Sequence, residues 1–494
     1  MDSRLVLEKY FGYTIFRPGQ QAIIDSILSR QDTLAILPTG GGKSLCFQIP
    51  GLMLEGTTLV VSPLISLMKD QVDSLLSKNI TSTYINSSLE TKEIKHRFGQ
   101  LAARKYQFVY IAPERLQTTQ FIKVCQQINI PLIAIDEAHC ISMWGHDFRP
   151  EYTQINQFIK QLTTLPTVAA FTATATNKVR TDIITSLELS QPQIFLNSFK
   201  RENLSFHVAV CLDNFSQELA LFIILKKHSH QAGIIYTTTQ KKAEYLSSLI
   251  KHYYGNDFPV DAYHAGLENN HRANVQEKFL ANQLQIITAT NAFGMGVDKP
   301  NVRWVIHYQI PGNLENYYQE AGRAGRDQQP ADCYLLFNPA DIKIQKIFID
   351  KSHPQKDDPL RTHQLNQLQQ MIVYAQTSAC RQTTILNYFN EAANNCDQCD
   401  NCQNNQLQLS LTDQQYHRLL SSIKHQLPPR VFTPKLLLLF CIHRPDSKSD
   451  FLKIPGIGYG WVEKWYNQVL KLLEKENTYV HDPQTTHHGI SKNC

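Results

Sequence analysis

The sequence predicts an α/β chain: two tandem parallel-sheet domains, then a small helical module and a short, mostly helical C-terminal region. Three observations predict it. Short apolar runs alternate with longer amphipathic stretches in two successive series. A Gly-rich turn directly follows the first run. Beyond about Phe348 the alternation stops, and four cysteines gather between Cys380 and Cys402.

The first series consists of Thr33–Leu37, Thr58–Ser62, Phe108–Ala112, Leu132–Ile135 and Val168–Phe171. The second consists of Gly233–Tyr236, Val260–Tyr263, Gln285–Thr288, Val302–Tyr308 and Cys333–Phe337. Each reads as the strand of a βα unit. The domains are expected at residues 1–200 and 201–345, joined near Asn197–Asn203, with the module at 346–405 and the C-terminal region at 406–494. Lys351–Arg361, rich in Pro, Asp and Lys, reads as a linker, and Gln364–Gln376 as a helix. Gln403–Ser410 reads as a second linker, and the segment after His481 as a loose tail.

At 494 residues the chain is too long for one ordinary core. Charged residues make up 18% and the formal charge is +5, which permits a polyanionic partner without requiring one. No apolar run is long enough to span a membrane. Met1–Arg4 does not read as a secretory leader, so a reducing, cytoplasmic setting is expected for the eleven cysteines. Seven of these are scattered: Cys46, Cys125, Cys140, Cys211, Cys333, Cys441 and Cys494.

Pro38-Thr39-Gly40-Gly41-Gly42-Lys43-Ser44 stands between a strand and a helical stretch, the context a phosphate-binding loop needs. Gly40, Gly41 and Gly42 let backbone N–H groups approach phosphates, with Thr39 in the same loop. Lys43 would reach the β- and γ-phosphates of ATP, and Ser44 would hold magnesium. Where the common pattern has a further Gly, this chain has Leu37. Asp136-Glu137-Ala138-His139 ends the run Leu132–Ile135, at the strand end where parallel sheets place ligands. Asp136 would hold the magnesium through water; Glu137 would orient and deprotonate an attacking water. Upstream, Gln20 could pair with an adenine edge, and Tyr13 or Arg17 could stack on the base.

Gln319-Glu320-Ala321-Gly322-Arg323-Ala324-Gly325-Arg326 lies in the second domain. Arg323 and Arg326, three apart, are expected on one helical face, where their planar forks would stabilise charge on a γ-phosphate. Gln319 joins them as a candidate catalytic residue. Read alone, each of these stretches also fits a blander role: a Gly-rich turn, an acidic turn or a solvated basic turn. The four cysteines are spaced by fifteen, two and two residues. Cys380, Cys396, Cys399 and Cys402 therefore read as tetrahedral zinc ligands, with unpaired thiols as the alternative. His481, His487, His488 and Cys494 read as tail residues.

Directly after the acidic box comes Cys140-Ile141-Ser142-Met143-Trp144-Gly145-His146-Asp147-Phe148-Arg149-Pro150-Glu151-Tyr152. Trp144 and Phe148 can stack on bases, and His146 and Arg149 can contact phosphates or bases. Together with Ser62–Gln71, Ala112–Arg115, Thr172–Ala175, His264–Leu267 and Ala289–Pro300, these motifs resemble superfamily-2 helicases, and more narrowly the RecQ family. The resemblance implies two RecA-like domains and an aromatic-rich loop coupling DNA to ATP hydrolysis. It further implies a zinc module after the motor, and 3′-to-5′ unwinding in recombination and repair. It implies single-stranded and forked duplex DNA as partners, ATP, Mg and Zn as cofactors, and a single-stranded DNA-binding protein as a candidate partner. Gln240 stands where the family commonly has Arg. About ninety residues follow the zinc cysteines, too few for both a winged helix and a further helical domain. Phe451–Gly458 reads as a helix–turn–helix, either DNA-contacting or an ordinary αα-turn. An RNA helicase, a DNA translocase and a strand-annealing protein are the rival readings.

Overall fold

Parallel strands covered on both faces by helices must be apolar throughout. Thr33–Ile36 (β1), Thr58–Val61 (β2), Phe108–Ile111 (β4) and Leu132–Ile135 (β5) meet this condition, each buried at every position. In the computed structural model they join β3 (Ser82–Ile85), β6 (Thr167–Thr172) and β7 (Gln193–Leu196) in a sheet ordered β3-β4-β2-β5-β6-β1-β7. A second sheet has the order β10-β11-β9-β12-β13-β8. Its strands are β8 (Leu204–Val210), β9 (Gly233–Tyr236), β10 (Val260–Tyr263), β11 (Ile286–Ala289), β12 (Trp304–His307) and β13 (Ala331–Phe337). All pairings in both sheets are parallel. The chain crosses between the sheets over residues 197–203. The structure describes residues 2–404, apart from Thr39, His146 and 295–298, and residues 427–479, apart from 429–432, 444 and 446.

Three strands escape the apolar-run reading. β3 carries Ser and Thr, and β7 is an edge strand with three of its four residues exposed. β8 alternates along much of its length, as an edge strand with one partner can.

β8 is fastened to β13 by charge. Asp332 Oδ1 accepts from His207 Nε2 at 3.1 Å, while its other oxygen lies 3.2 Å from Lys227 Nζ and 3.3 Å from His228 Nε2. Burial pushes the Asp332 carboxyl up, but hydrogen bonds from His207 and His228, with the charges of His207 and Lys227, hold it well below the usual range. A depressed carboxyl stabilises the fold above its unfolded pKa of about 3.9, and that contribution is lost as pH falls through the folded value. Asp332→Asn should therefore cost about 2 kcal/mol at pH 7, with the gap to the parent closing below pH ~4. Urea unfolding at both pH values checks this; a gap that does not depend on pH would sink it.

The third module corrects the expected linker. Helices Asp341–Ser352 and Pro359–Gln376 leave only residues 353–358 between them. Asp358 accepts the N–H of Leu360 as N-cap, and Pro359 opens the helix, where its missing N–H costs nothing. The residues that read as a linker are thus a capping signal. Helix Arg381–Tyr388 and a short turn of helix, Asp400–Gln403, complete the module.

Among the described residues no strand follows β13. Helices Pro434–His443, Lys448–Leu452 and Tyr459–Tyr479 pack on the second domain. Phe440, Phe451, Val462 and Val469 share one apolar core with Leu221, Leu225 and Ile250. The Phe451–Gly458 stretch is an αα-turn, with Phe451 and Ile454 buried and Gly456 in the left-handed region at φ 92°. Residues 405–426, His481, His487, His488 and Cys494 lie outside the described residues. No helix among the described residues is long and apolar enough to cross a membrane.

Candidate nucleotide site and its link to an aromatic loop

The Gly-rich loop leaves the C-terminal end of β1 and runs into helix Lys43–Met53. Gly42 caps that helix at φ 79°, a left-handed conformation that favours glycine, and a Cβ there would push on the Gln20 amide. Gln20 is buried, donating to the carbonyls of Gly41 (3.3 Å) and Gly42 (3.2 Å) and accepting from Arg17 N–H at 2.9 Å. Arg17 also donates to the Gly40 carbonyl. Both side chains thus shape the loop from outside. Tyr13, 56% exposed, stands free to lie against a planar ligand.

Beneath the loop, at the end of β5, lie Asp136 and Glu137. Glu137 sits at φ 48°, left-handed and strained for a non-glycine residue. Its carboxylate lies 3.6 Å from Lys43 Nζ and 3.3 Å from His139 Nδ1. Desolvation pushes the Asp136 carboxyl up to about 6; Lys43 opposes this and Glu137 adds to it. The Asp136 carboxylate and the Ser44 hydroxyl line one cavity, and oxygen donors of this kind suit a hard divalent cation.

Lys43, Ser44, Asp136 and Glu137 face Gln319, Arg323 and Arg326 across a cavity of about 830 Å³, within the range of small-molecule sites. Tyr13, Arg17, Gln20, Gly40 and Gly42 line the same cavity. The arginines are not on a helical face. Helix Leu314–Ala321 ends before them, and Gly325 turns the chain at φ 58°. Arg323 is buried and donates to the Gly294 carbonyl, while its Nε has no hydrogen-bond partner. Of the two, Arg326 lies closer to the loop: a Cβ on Gly40 would be 3.7 Å from its Cγ. Thr39 lies outside the described residues.

The aromatic loop is wired to this site. His139 Nδ1 is 2.8 Å from Thr172 Oγ1 at the end of β6, and Tyr152 donates its hydroxyl to the Asp136 carbonyl at 2.9 Å. Tyr152 is therefore core, unlike the half-buried Trp144 and Phe148. Lys178 Nζ sits 3.0 Å from the Trp144 ring centroid, and His363 of the third module meets the ring edge-on at 5.0 Å. Arg149 is held by Asp147 (3.0 Å) and by the Pro63 carbonyl (3.1 Å). His146 is outside the described residues. Sequence reasoning passed over Lys178 and His363 because nothing in the sequence places them at Trp144.

Cys380, Cys396, Cys399 and Cys402 bring their sulfurs within 4.8 Å of one another, with Cys399 and Cys380 at 4.0 Å. Four thiolates around zinc stand roughly 3.8 Å apart at Zn–S distances of about 2.3 Å, so the cage fits the ion. Backbone N–H groups of Cys396 (to Cys380 Sγ, 3.3 Å) and Arg381 (to Cys399 Sγ, 3.4 Å) point at sulfur, as thiolates favour.

Two parallel-sheet domains with a phosphate loop on one and an arginine turn on the other have the architecture of tandem RecA-like helicase motors. Residues 17–183 match the DEAD/DEAH box helicase model, 214–328 the helicase conserved C-terminal domain and 339–403 the RecQ zinc-binding domain. The chain is 47% identical over 390 residues to the ATP-dependent DNA helicase RecQ of Bacillus subtilis, covering 78% of this chain and 64% of that one. It is 44% identical to the probable ATP-dependent DNA helicase RecS of the same species, covering 69% and 68%. It is 39% identical over 489 residues to the putative ATP-dependent RNA helicase R290 of Acanthamoeba polyphaga mimivirus, covering 95% and 86%. The fold resembles the Mycobacterium smegmatis helicase Lhr bound to ssDNA and AMP-PNP at a TM-score of 0.56 and 19% identity, over 69% of this chain and 48% of that one. The chain belongs to the RecQ family of helicases. It spans 64% of the length of the Bacillus subtilis RecQ it matches.

Proposed function

We propose that this chain is an ATP-dependent DNA helicase that moves 3′-to-5′ on single-stranded DNA and unwinds duplexes in recombination and repair. The observation that carries the reading is the divided site, with Lys43 and Glu137 on one domain and Arg323 and Arg326 on the other, facing one cavity. Lys43 would bind the β- and γ-phosphates, Glu137 would take a proton from the attacking water, and Arg326 would meet charge growing on the γ-phosphate. Ser44 and Asp136 would hold a magnesium ion, which neutralises phosphate charge when bound. Closing the cleft on ATP would assemble the site, and hydrolysis would release it. Trp144 and Phe148 would stack on bases, so that strand binding reaches Glu137 through His139 and Tyr152. The reading places the chain in the cytoplasm, at the nucleoid in a bacterial cell, with a single-stranded DNA-binding protein as a candidate partner.

The test is ATP hydrolysis with and without single-stranded DNA, and strand displacement on forked duplexes. Hydrolysis indifferent to DNA would defeat the reading; stimulated hydrolysis without displacement would leave a translocase or annealing protein. Trp144→Ala is expected to keep basal hydrolysis within about twofold and to lose most DNA stimulation, since each stacked base contributes about 1–3 kcal/mol. Full stimulation in that variant would remove Trp144 from the coupling. A second reading, an RNA helicase, draws support from the mimivirus relative, whose match runs over nearly the whole chain. Matched DNA and RNA strands in the same hydrolysis assay separate the two.

A further inference from the structure

The stretch between the two sheets does more than connect them. Arg201 is turned back onto the arginine turn of the second domain. Its Nη1 donates to the Gly322 carbonyl at 3.4 Å, and its Nη2 to those of Ala324 (3.2 Å) and Gly325 (3.0 Å). Its Nε donates to Asn203 Oδ1 at 3.3 Å. Asn203 in turn donates to the carbonyls of Gly325 (2.8 Å) and Gln329 (2.9 Å). Two side chains of the connector thus grip the carbonyls of the segment that carries Arg323 and Arg326. A Cβ on Gly40 would lie 3.9 Å from Arg201 Nη1, so this grip sits at the mouth of the nucleotide cleft.

The connector is itself fixed from behind by the cysteine module. Gln382 donates to the Arg201 carbonyl at 2.9 Å, and Gln398 to those of Glu202 and Leu204 at 3.0 Å each. Glu391 accepts the N–H of Phe199 at 2.7 Å, and Phe199 stacks on Phe389 with ring centroids 4.4 Å apart.

We infer that Arg201, supported by Asn203, is a positioning residue that sets where Arg323 and Arg326 stand when the cleft closes. Its fork spans three carbonyls aimed in different directions, which a single ammonium cannot do. The helix that carries Gln319 ends at Ala321; beyond it only single turns close, from Arg323 N–H to the Glu320 carbonyl and from Ala324 N–H to the Ala321 carbonyl, and the Gly322 and Ala324 carbonyls accept from Arg201. The inference rests on the proposed ATP hydrolysis at this site.

The test compares Arg201→Lys and Arg201→Gln with the parent, measuring kcat and KM for ATP with saturating single-stranded DNA, binding of a non-hydrolysable ATP analogue, and thermal melting. A displacement of about 1 Å in a catalytic group costs on the order of a hundredfold, so kcat should fall roughly tenfold to a hundredfold in both variants. Analogue binding should stay within about twofold, because Arg201 touches the turn rather than the ligand, and melting should fall by a few degrees with the loss of its hydrogen bonds, well short of unfolding at the assay temperature. Parent-like kcat in Arg201→Lys would overturn the inference. So would a fall in kcat matched by an equal fold-loss of analogue binding, or one explained by unfolding at the assay temperature. Should the Arg201 variants not fold, Asn203→Asp decides: it keeps the side chain's shape, replaces the donor to Gly325 with an acceptor, and must reproduce the loss of kcat. A parent protein that hydrolyses no ATP defeats the proposed function itself, a result distinct from any of these.

Discussion

Arg326→Ala should lower the kcat for ATP hydrolysis by roughly a thousandfold or more while leaving nucleotide affinity within a fewfold. Of the two arginines in the turn, Arg326 stands closer to the Gly-rich loop, with its Cγ 3.7 Å from where a Gly40 Cβ would be. Arg323, buried and tied to the Gly294 carbonyl, roots the turn instead. A guanidinium aimed at developing negative charge acts in the transition state far more than in the ground state, so its loss appears in kcat rather than in binding. Lysine should recover little, because a point charge does not reproduce the planar fork. Steady-state hydrolysis paired with analogue binding checks this. Parent-level kcat in Arg326→Ala would mean that the second domain contributes no catalytic charge, and the divided site would lose its meaning.

The first half of that site was legible because chemistry and chain order coincide there. Gly40–Ser44 and Asp136–Glu137 each follow a strand directly, so a strand reading alone places them at one sheet edge. The second half was legible in residue type but not in shape. Arg323 and Arg326 fit helical spacing, yet Gly322 and Gly325 break the helix, and the turn that results needs Arg201 and Asn203 to hold it. Such donors, more than a hundred positions away, leave no local pattern. Gln20 lines the cavity as its place ahead of the loop suggests, while its contacts with the carbonyls of Gly41 and Gly42 leave no local pattern in the sequence. The strands lost to the reading, β3, β7 and β8, are polar, exposed or alternating, where burial on both faces no longer marks a parallel strand.

Removing the metal cage should affect the whole motor rather than its last module alone. Cys399→Ala is expected to lose zinc, since three thiolates leave the tetrahedron open and structural zinc binding is worth roughly 10–16 kcal/mol in small modules. Cys399 is fully buried, and its sulfur takes an N–H from Arg381. Arg381 also pairs with the buried Asp400 at 2.9 Å, and Asp400 accepts the N–H of Val208 on the edge strand β8 at 2.8 Å. Loss of the cage would take away the sulfur acceptor beside this buried pair and loosen its surroundings. Melting should therefore fall by several degrees, and β8 amides should exchange faster with solvent. Gln382, Gln398 and Glu391 would release the connector in the same event, so ATP hydrolysis should fall even though none of the four cage cysteines lines the nucleotide cavity. Metal analysis, melting and hydrolysis on one preparation separate the possibilities. Unchanged zinc content would remove Cys399 from the ligand set. Lost zinc with parent-like hydrolysis would show that the module holds the connector without governing the site it leads to.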